Sequence, residues 1–267
     1  TPQILIGARF IWKDLLRAIE DVGVLVPGVG EEFYIANPGE GVATYILADE
    51  CPTCPSVPKA ERDYKALELT FQKRYSNTWG LFLNYTYSRL YGNYSGLSSS
   101  DEDGRNSPNV NRFFDSLYMT FDRNAELVYG RLGTDRPNIF KGQFIYGFNW
   151  NMTMGLNQYI GQGIPISEEG NIAGTPFFAY GRNNLGRTPT LSQTDLSVYQ
   201  NFKFGRYGFQ VGATILNLFD QETVTRRYNS RMVGDLPLDS EGFFNSTWDY
   251  EQLLRADPDD PERLLQV

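Results

Sequence analysis

The chain has 267 residues, enough for one large domain or two, with a formal charge of -8 and no histidine. Without histidine there is no Ser-His-Asp triad, no Cys-His pair and no histidine-ligated zinc, and the acidic balance argues against a nucleic-acid partner. Hydrophobic residues make up 41% at a mean hydropathy of -0.40, yet no apolar run approaches the roughly twenty residues of a membrane-spanning helix, which leaves a soluble fold or a β-barrel. Aromatic residues at 15%, and 26 glycines with little helical periodicity, favour β structure.

Residues 4–13 alternate Ile4, Ile6, Ala8, Phe10 and Trp12 with Leu5, Gly7, Arg9 and Ile11, which predicts a strand. Over 14–63 the alternation is lost amid Pro and Gly, giving a long connection with room for a small hairpin. Within it Cys51-Pro52-Thr53-Cys54 lacks the second pair of a zinc site and the βαβ setting of a redox motif. The expectation is a disulfide between Cys51 and Cys54 that staples an exposed loop in an oxidising compartment.

Residues 64–73 place Leu67, Leu69 and Phe71 on one face and Ala66, Glu68, Thr70 and Gln72 on the other. A turn at 75–78 leads into 79–91, where Trp79, Leu81, Leu83, Tyr85 and Tyr87 alternate with Gly80, Asn84, Thr86 and Ser88. A second long connection, 92–136, is rich in Ser, Asn, Asp and Gly. Strands follow at 137–148 and 152–160 around a three-residue turn, then a third long connection at 161–189. Residues 190–204 and 207–219 form the clearest hairpin, with only Gly205-Arg206 between them and Phe202, Phe204, Tyr207 and Phe209 crowding the turn. Residues 248–267 read as locally helical or irregular.

Long and short connections alternate strictly, so long loops share one edge of the sheet and short turns the other. Transmembrane barrels show this asymmetry, and sandwiches seldom sort their connections so cleanly. The predicted fold is therefore all-β: an antiparallel up-and-down transmembrane barrel, partial, with about seven strands and long outer loops. Seven is an odd number, and an unclosed sheet would leave bare edges in lipid, so at least one further strand is expected. Because the pattern of a strand begins almost at Thr1 with no signal peptide before it, the sequence is read as starting partway through a larger protein.

Five segments in this order carry a family resemblance: Arg62-Asp63-Tyr64-Lys65-Ala66-Leu67-Glu68, Tyr85-Thr86-Tyr87-Ser88-Arg89-Leu90-Tyr91-Gly92-Asn93-Tyr94, Ser107-Pro108-Asn109-Val110-Asn111-Arg112-Phe113-Phe114-Asp115, Thr134-Asp135-Arg136-Pro137 and Asn217-Leu218-Phe219-Asp220. Together they resemble the C-terminal barrel of TonB-dependent outer-membrane receptors, in the branch with a carboxypeptidase-regulatory-like N-terminal domain. The resemblance implies that residues 1–267 are the C-terminal portion of a large barrel, with the plug, the TonB box and the closing C-terminal strand absent. It also implies a place in the bacterial outer membrane, contact with its lipid, and coupling to a TonB complex through the missing N-terminal part. The implied function is uptake of a bulky nutrient of the siderophore, cobalamin, glycan or peptide class. No enzymatic step and no cofactor is expected. Structural anchoring of adhesive surface loops is the alternative, and a secreted carbohydrate-binding sandwich a third reading.

The polar positions Glu68, Gln72, Asn84, Thr86, Lys141, Gln143, Asp195, Asn201, Lys203 and Gln210 are expected to line a wet lumen, with Leu81, Leu83, Val211 and Ile215 toward lipid. Ligand contacts are assigned to the long connections, where cations and aromatics mix: Arg112, Tyr118, Tyr129, Arg131, Arg136, Arg182 and Arg187 could pair or stack with an anionic or sugar ligand. The same side chains could equally hold the loops folded on themselves. Asp101, Glu102 and Asp103 ahead of Gly104 read first as a solvated loop tip, with loop calcium at Asp101 and Asp103 as the lesser reading, since position twelve counted from Asp101 is Arg112, where an EF-hand needs Glu. No catalytic residue is assigned, and apart from that calcium no metal site. Gly28-Val29-Gly30 and Gly161-Gln162-Gly163 lack the third glycine of a dinucleotide loop and read as turns.

Overall fold

The computed structural model describes residues 3–26, 30–44, 53–96, 114, 116–231, 234–254, 256–257 and 260–264. In chain order the strands and α-helices are β1 Ile4–Asp14, β2 Glu20–Val26, β3 Gly30–Ala36, β4 Arg62–Ser76, β5 Trp79–Gly92, β6 Gly130–Arg131, β7 Asn138–Gly147, β8 Met152–Gly161, β9 Glu169–Ile172, β10 Thr175–Phe178, β11 Leu191–Phe204, β12 Tyr207–Ile215, α1 Ser240–Asn245, α2 Tyr250–Leu254, β13 Ala256–Asp257 and β14 Asp260–Leu264. The main sheet runs β1-β4-β5-β7-β8-β11-β12, every neighbour antiparallel, with β6 paired to β5. It is all-β and up-and-down as the alternation predicts, and it is an open sheet. No helix among the described residues is long and apolar enough to cross a membrane.

Short turns close the three hairpins of one edge, each with an Asn or Gly in the left-handed region. Asn77 and Thr78 have φ of 50° and 76° between β4 and β5, the pairing a two-residue hairpin needs. Lys73 fixes that hairpin from below: its Nζ donates to the carbonyls of Ser76 (2.9 Å) and Trp79 (2.8 Å) and stands 3.9 Å over the Trp79 ring. Asn151 (φ 64°) serves between β7 and β8, and Gly205 (φ 58°) between β11 and β12.

The register sorts the sheet into two chemically distinct faces, because directly opposed residues share a side. One row reads Ala8, Leu69, Tyr85, Phe140, Ile160; another runs Leu81, Phe144, Leu156, Leu196, Ile215. Leu83 and Val211 belong to the same face. It is uncovered by any described element: Ile6 is 79% exposed, Phe10 68%, Val211 58% and Ile215 51%. The opposite face carries the polar set.

The apolar core lies elsewhere, in the long connections. Ala18, Val22, Ala43, Val57 and Ala60 of the first, Tyr94, Phe114, Leu117, Tyr118, Met119 and Phe121 of the second, Ile172, Phe177 and Ala179 of the third, and Leu236, Phe243 and Tyr250 after the last strand form one buried cluster. Phe177 is its pivot, with ring centroids 5.5 Å from Phe243 and 5.8 Å from Tyr250. A Cβ on Gly170 would overlap the Phe177 ring, so only glycine lets β9 pass there. Polar links cross the same layer: Tyr118 Oη donates to the Ile172 carbonyl at 2.8 Å, and Arg231 spans Glu168 (2.6 Å) and Glu251 (2.8 Å). Four connections therefore fold on one another as a layer at the long-loop edge.

Several boundaries differ from the sequence reading. The first connection does carry a hairpin, β2 with β3, but the β9-β10 hairpin of the third has strands too short to show a period. The last long strand stops at Ile215, not Phe219, because Asn217 and Asp220 take positive φ (53° and 49°) and the Asn217 side chain accepts from Gln221 N at 2.9 Å. Helix α1 starts ahead of the predicted region, where the Asp239 carboxylate accepts from Gly242 N at 2.7 Å and caps it. Cys54 Sγ lies 3.8 Å from the Ser240 carbonyl, and Cys51, the other half of the expected disulfide, lies outside the described residues.

Candidate solute-binding face

All ten residues predicted for a lumen share one face. Glu68 faces Thr86, Gln72 faces Phe82, Asn84 faces Lys141, Gln143 faces Asn157 and through it Asp195, Asn201 faces Gln210, and Lys203 faces Gly208. They hydrogen-bond across strands: Asn84 Nδ2 donates to Thr70 Oγ1 at 3.1 Å and Gln210 Nε2 to Asn201 Oδ1 at 2.9 Å. Arg9 of β1 closes on Glu68, Nε to Oε2 at 2.9 Å. Clefts on this face among the described residues include one of about 350 Å³ toward the short turns, one of about 270 Å³ over β7, β8 and β11, and one of about 490 Å³ against the long loops.

The largest of these is bounded by Lys13, Asp14, Arg62, Tyr64, Ser88, Leu90 and Ile139 from the strands, by Leu15 just after β1, and by Thr134, Asp135 and Arg136 from the second connection. Asp135 organises this end of the sheet. Its side chain is fully buried and accepts from Leu90 N (2.7 Å), Arg187 Nη2 (2.5 Å) and Arg131 Nη1 (3.3 Å), tying β5 to the second and third connections. Arg187 Nη1 also donates to the carbonyls of Asp135 (2.8 Å) and Gly163 (3.0 Å), and Arg136 Nη1 to that of Gln162 (2.8 Å).

The predicted ligand contacts thus divide. Arg131, Arg136 and Arg187 come together around Asp135 and its neighbours. Arg182 is apart from them: it donates to the Asn93 carbonyl at 3.0 Å and stacks 4.3 Å over Phe178. Tyr118 is buried in the loop core. Tyr129 is exposed, 5.0 Å from the Tyr91 ring, and partial burial with a hydrogen bond to the Glu61 carboxylate pushes its hydroxyl up to about 12. Arg112, Asp101 and Asp103 lie outside the described residues. Within the described set, each of these arginines is held by loop carbonyls or carboxylates, the folding role that the sequence left open beside ligand contact. No cluster of metal-ligating side chains occurs among the described residues.

Sequence reasoning passed over Lys13, Arg62 and Asp135. The signal for the two cations was parity: Arg62 continues the polar row of Glu68 two steps beyond Tyr64, and Lys13 that of Arg9. For Asp135 the sequence showed only Arg131 four residues before it, since its other partners are 45 and 52 residues away.

Fold and site together define an all-β, up-and-down sheet of long two-faced strands, polar on one side, with a folded loop layer at one edge. Among curated proteins, the chain is similar to the TonB-dependent transporter Oar of Myxococcus xanthus, with 27% identity over 240 residues that cover 87% of this chain and 21% of the relative. The chain spans about a fifth of that relative's length. No family model and no solved structure matches it. The likeness supports the TonB-dependent transporter family at a distance.

Proposed function

We propose that this chain is part of the barrel of an outer-membrane TonB-dependent receptor, whose complete form takes up a bulky nutrient of the siderophore, cobalamin, glycan or peptide class. The observation that carries the proposal is the uncovered apolar face with its aromatic ends. Trp79, Phe144, Tyr146, Phe202 and Phe209 gather toward the short turns and Trp12, Tyr85, Tyr87 and Phe140 toward the long loops, with Leu69, Leu83, Leu156 and Val198 between them. In water such a face would drive aggregation; against hydrocarbon it is the stable arrangement. Strands of 9 to 15 residues supply the length that a tilted transmembrane strand requires.

In this reading the polar face lines the lumen, the short turns lie on the periplasmic side, and the loop layer faces outward. Gating and energy coupling belong to the plug and the TonB complex, which act through parts of the protein outside this chain. The consolidated loop core favours a second reading, an outer-membrane anchor that displays a rigid adhesive surface.

Fractionation of cells expressing the full-length gene product, with and without TonB, tests both. The proposal predicts recovery in the outer membrane, detergent-dependent extraction, and a growth phenotype or retained solute that depends on TonB. Recovery as a detergent-free soluble protein would refute it. Outer-membrane recovery with no dependence on TonB would replace transport by anchoring.

A further inference from the structure

The polar face has a sign. In a chain of net charge -8, the registered positions of this face carry Arg9, Lys13, Arg62, Lys141 and Lys203 against only Glu68 and Asp195. Glu68 is already matched to Arg9, and Asp195 accepts from Gln193 Nε2 and Asn217 N, both at 2.9 Å. Of the carboxylates that the alternation places on the other side, Asp63 accepts from Trp12 Nε1 and pairs with Lys65, whereas Asp14 reaches the lining of the cleft by the long loops and offsets one cation there.

At the mouth of the largest cleft the imbalance is concentrated. Exposed Lys13 and half-buried Arg62 approach from adjacent strands and form no ion pair with any described residue. Arg136 approaches from the second connection, and its guanidinium donates to a neutral carbonyl, that of Gln162. Two carboxylates line it: Asp135 is fully buried and turned to Arg131 and Arg187, and Asp14 is exposed. Three cations thus share a cavity of about 490 Å³ with one exposed carboxylate, Asp14, which leaves positive charge in excess. Like charges in excess of their counter-ions repel, and an anion entering the cleft relieves that repulsion while meeting oriented N–H donors.

We propose that this cleft is an anion-binding site, formed by Lys13, Arg62 and Arg136, for solutes that carry phosphate or carboxylate groups, and that Lys141 and Lys203 continue it as an electropositive track along the polar face. The inference rests on the receptor reading and gives it a substrate class. Tyr64 on the same wall offers a ring and a hydroxyl, so the uncharged body of the solute has a surface to lie on.

Calorimetric titration of the detergent-purified full-length protein with inorganic pyrophosphate, citrate and sucrose tests it. Pyrophosphate or citrate should bind and sucrose should not, with affinity falling as salt rises; which of the two anions binds tells phosphate from carboxylate. The Lys13→Gln, Arg62→Gln double variant should weaken binding by at least about tenfold, Arg62→Lys should retain most of it, and Lys65→Gln on the opposite face should change nothing. An unaltered melting temperature in the double variant separates lost binding from lost folding. Absence of binding by both anions, or binding that survives the double variant, would overturn the site. Because membrane fractionation is scored separately, an outer-membrane protein that ignores anions defeats only this inference, whereas a soluble protein that binds them defeats only the receptor reading.

Discussion

The sheet and the loop layer bury apolar side chains in opposite ways. In the loop layer Phe177, Ile172 and Ala43 are wholly inaccessible, and four connections distant in sequence share one core. In the sheet, residues just as apolar stand exposed along a whole face while the hydrogen-bonded ladder is complete from β1 to β12. The loop layer is therefore stabilised by the hydrophobic effect in water, as in any small domain. The strands owe their stability to backbone pairing and to whatever meets their apolar face, and hydrocarbon meets it at no cost.

The comparison breaks most sharply at Asp135. Asp135→Ala should leave Arg187 and the Leu90 N–H unpaired beneath the loops and destabilise that layer by about 3–5 kcal/mol, with the sheet intact. Hydrogen exchange should show faster exchange confined to the Leu90 N–H and the second and third connections; equal acceleration in β4 and the rest of β5 would mean that the two regions are one cooperative unit. Next in size is a charge on the apolar face. Leu83→Lys should cost about 2–4 kcal/mol in lipid vesicles, measured by reversible denaturant unfolding, because it places an ammonium at mid-strand depth. Its smallest counterpart is Lys203→Glu on the polar face, expected to stay within about 0.5 kcal/mol of the parent. Similar costs for both would erase the distinction between faces.

The sheet was legible because its period is two and each apolar row must meet one medium throughout, so Leu81 and Leu83, or Val211 and Ile215, announce a face without knowledge of their neighbours. Residues such as Lys141 and Asn201 follow by parity. The loop layer obeys no such rule. Tyr118, Ile172, Phe177 and Tyr250 are buried by contacts between segments dozens of residues apart, with no local period to reveal them, and the four-residue strands β9 and β10 are too short to carry one. Within the site, the arginines were visible as residue types but not as partners of Asp135, since a lone carboxylate gives no sign of which guanidinium will reach it. The cap at Asp239 was readable in principle, a carboxylate ahead of Ser240-Glu241, and sets the start of α1.

The central claim is that adjacent residues of one strand face two different solvents, and nitroxide labels placed singly at Leu83→Cys and Asn84→Cys in the full-length protein, in a Cys51→Ser, Cys54→Ser background and reconstituted in lipid, test it directly. The account predicts that the label at position 83 is relaxed by oxygen and shielded from a water-soluble nickel chelate, and that the label at position 84 shows the reverse. Chelate access at both positions, or shielding from both agents at position 83, would contradict it.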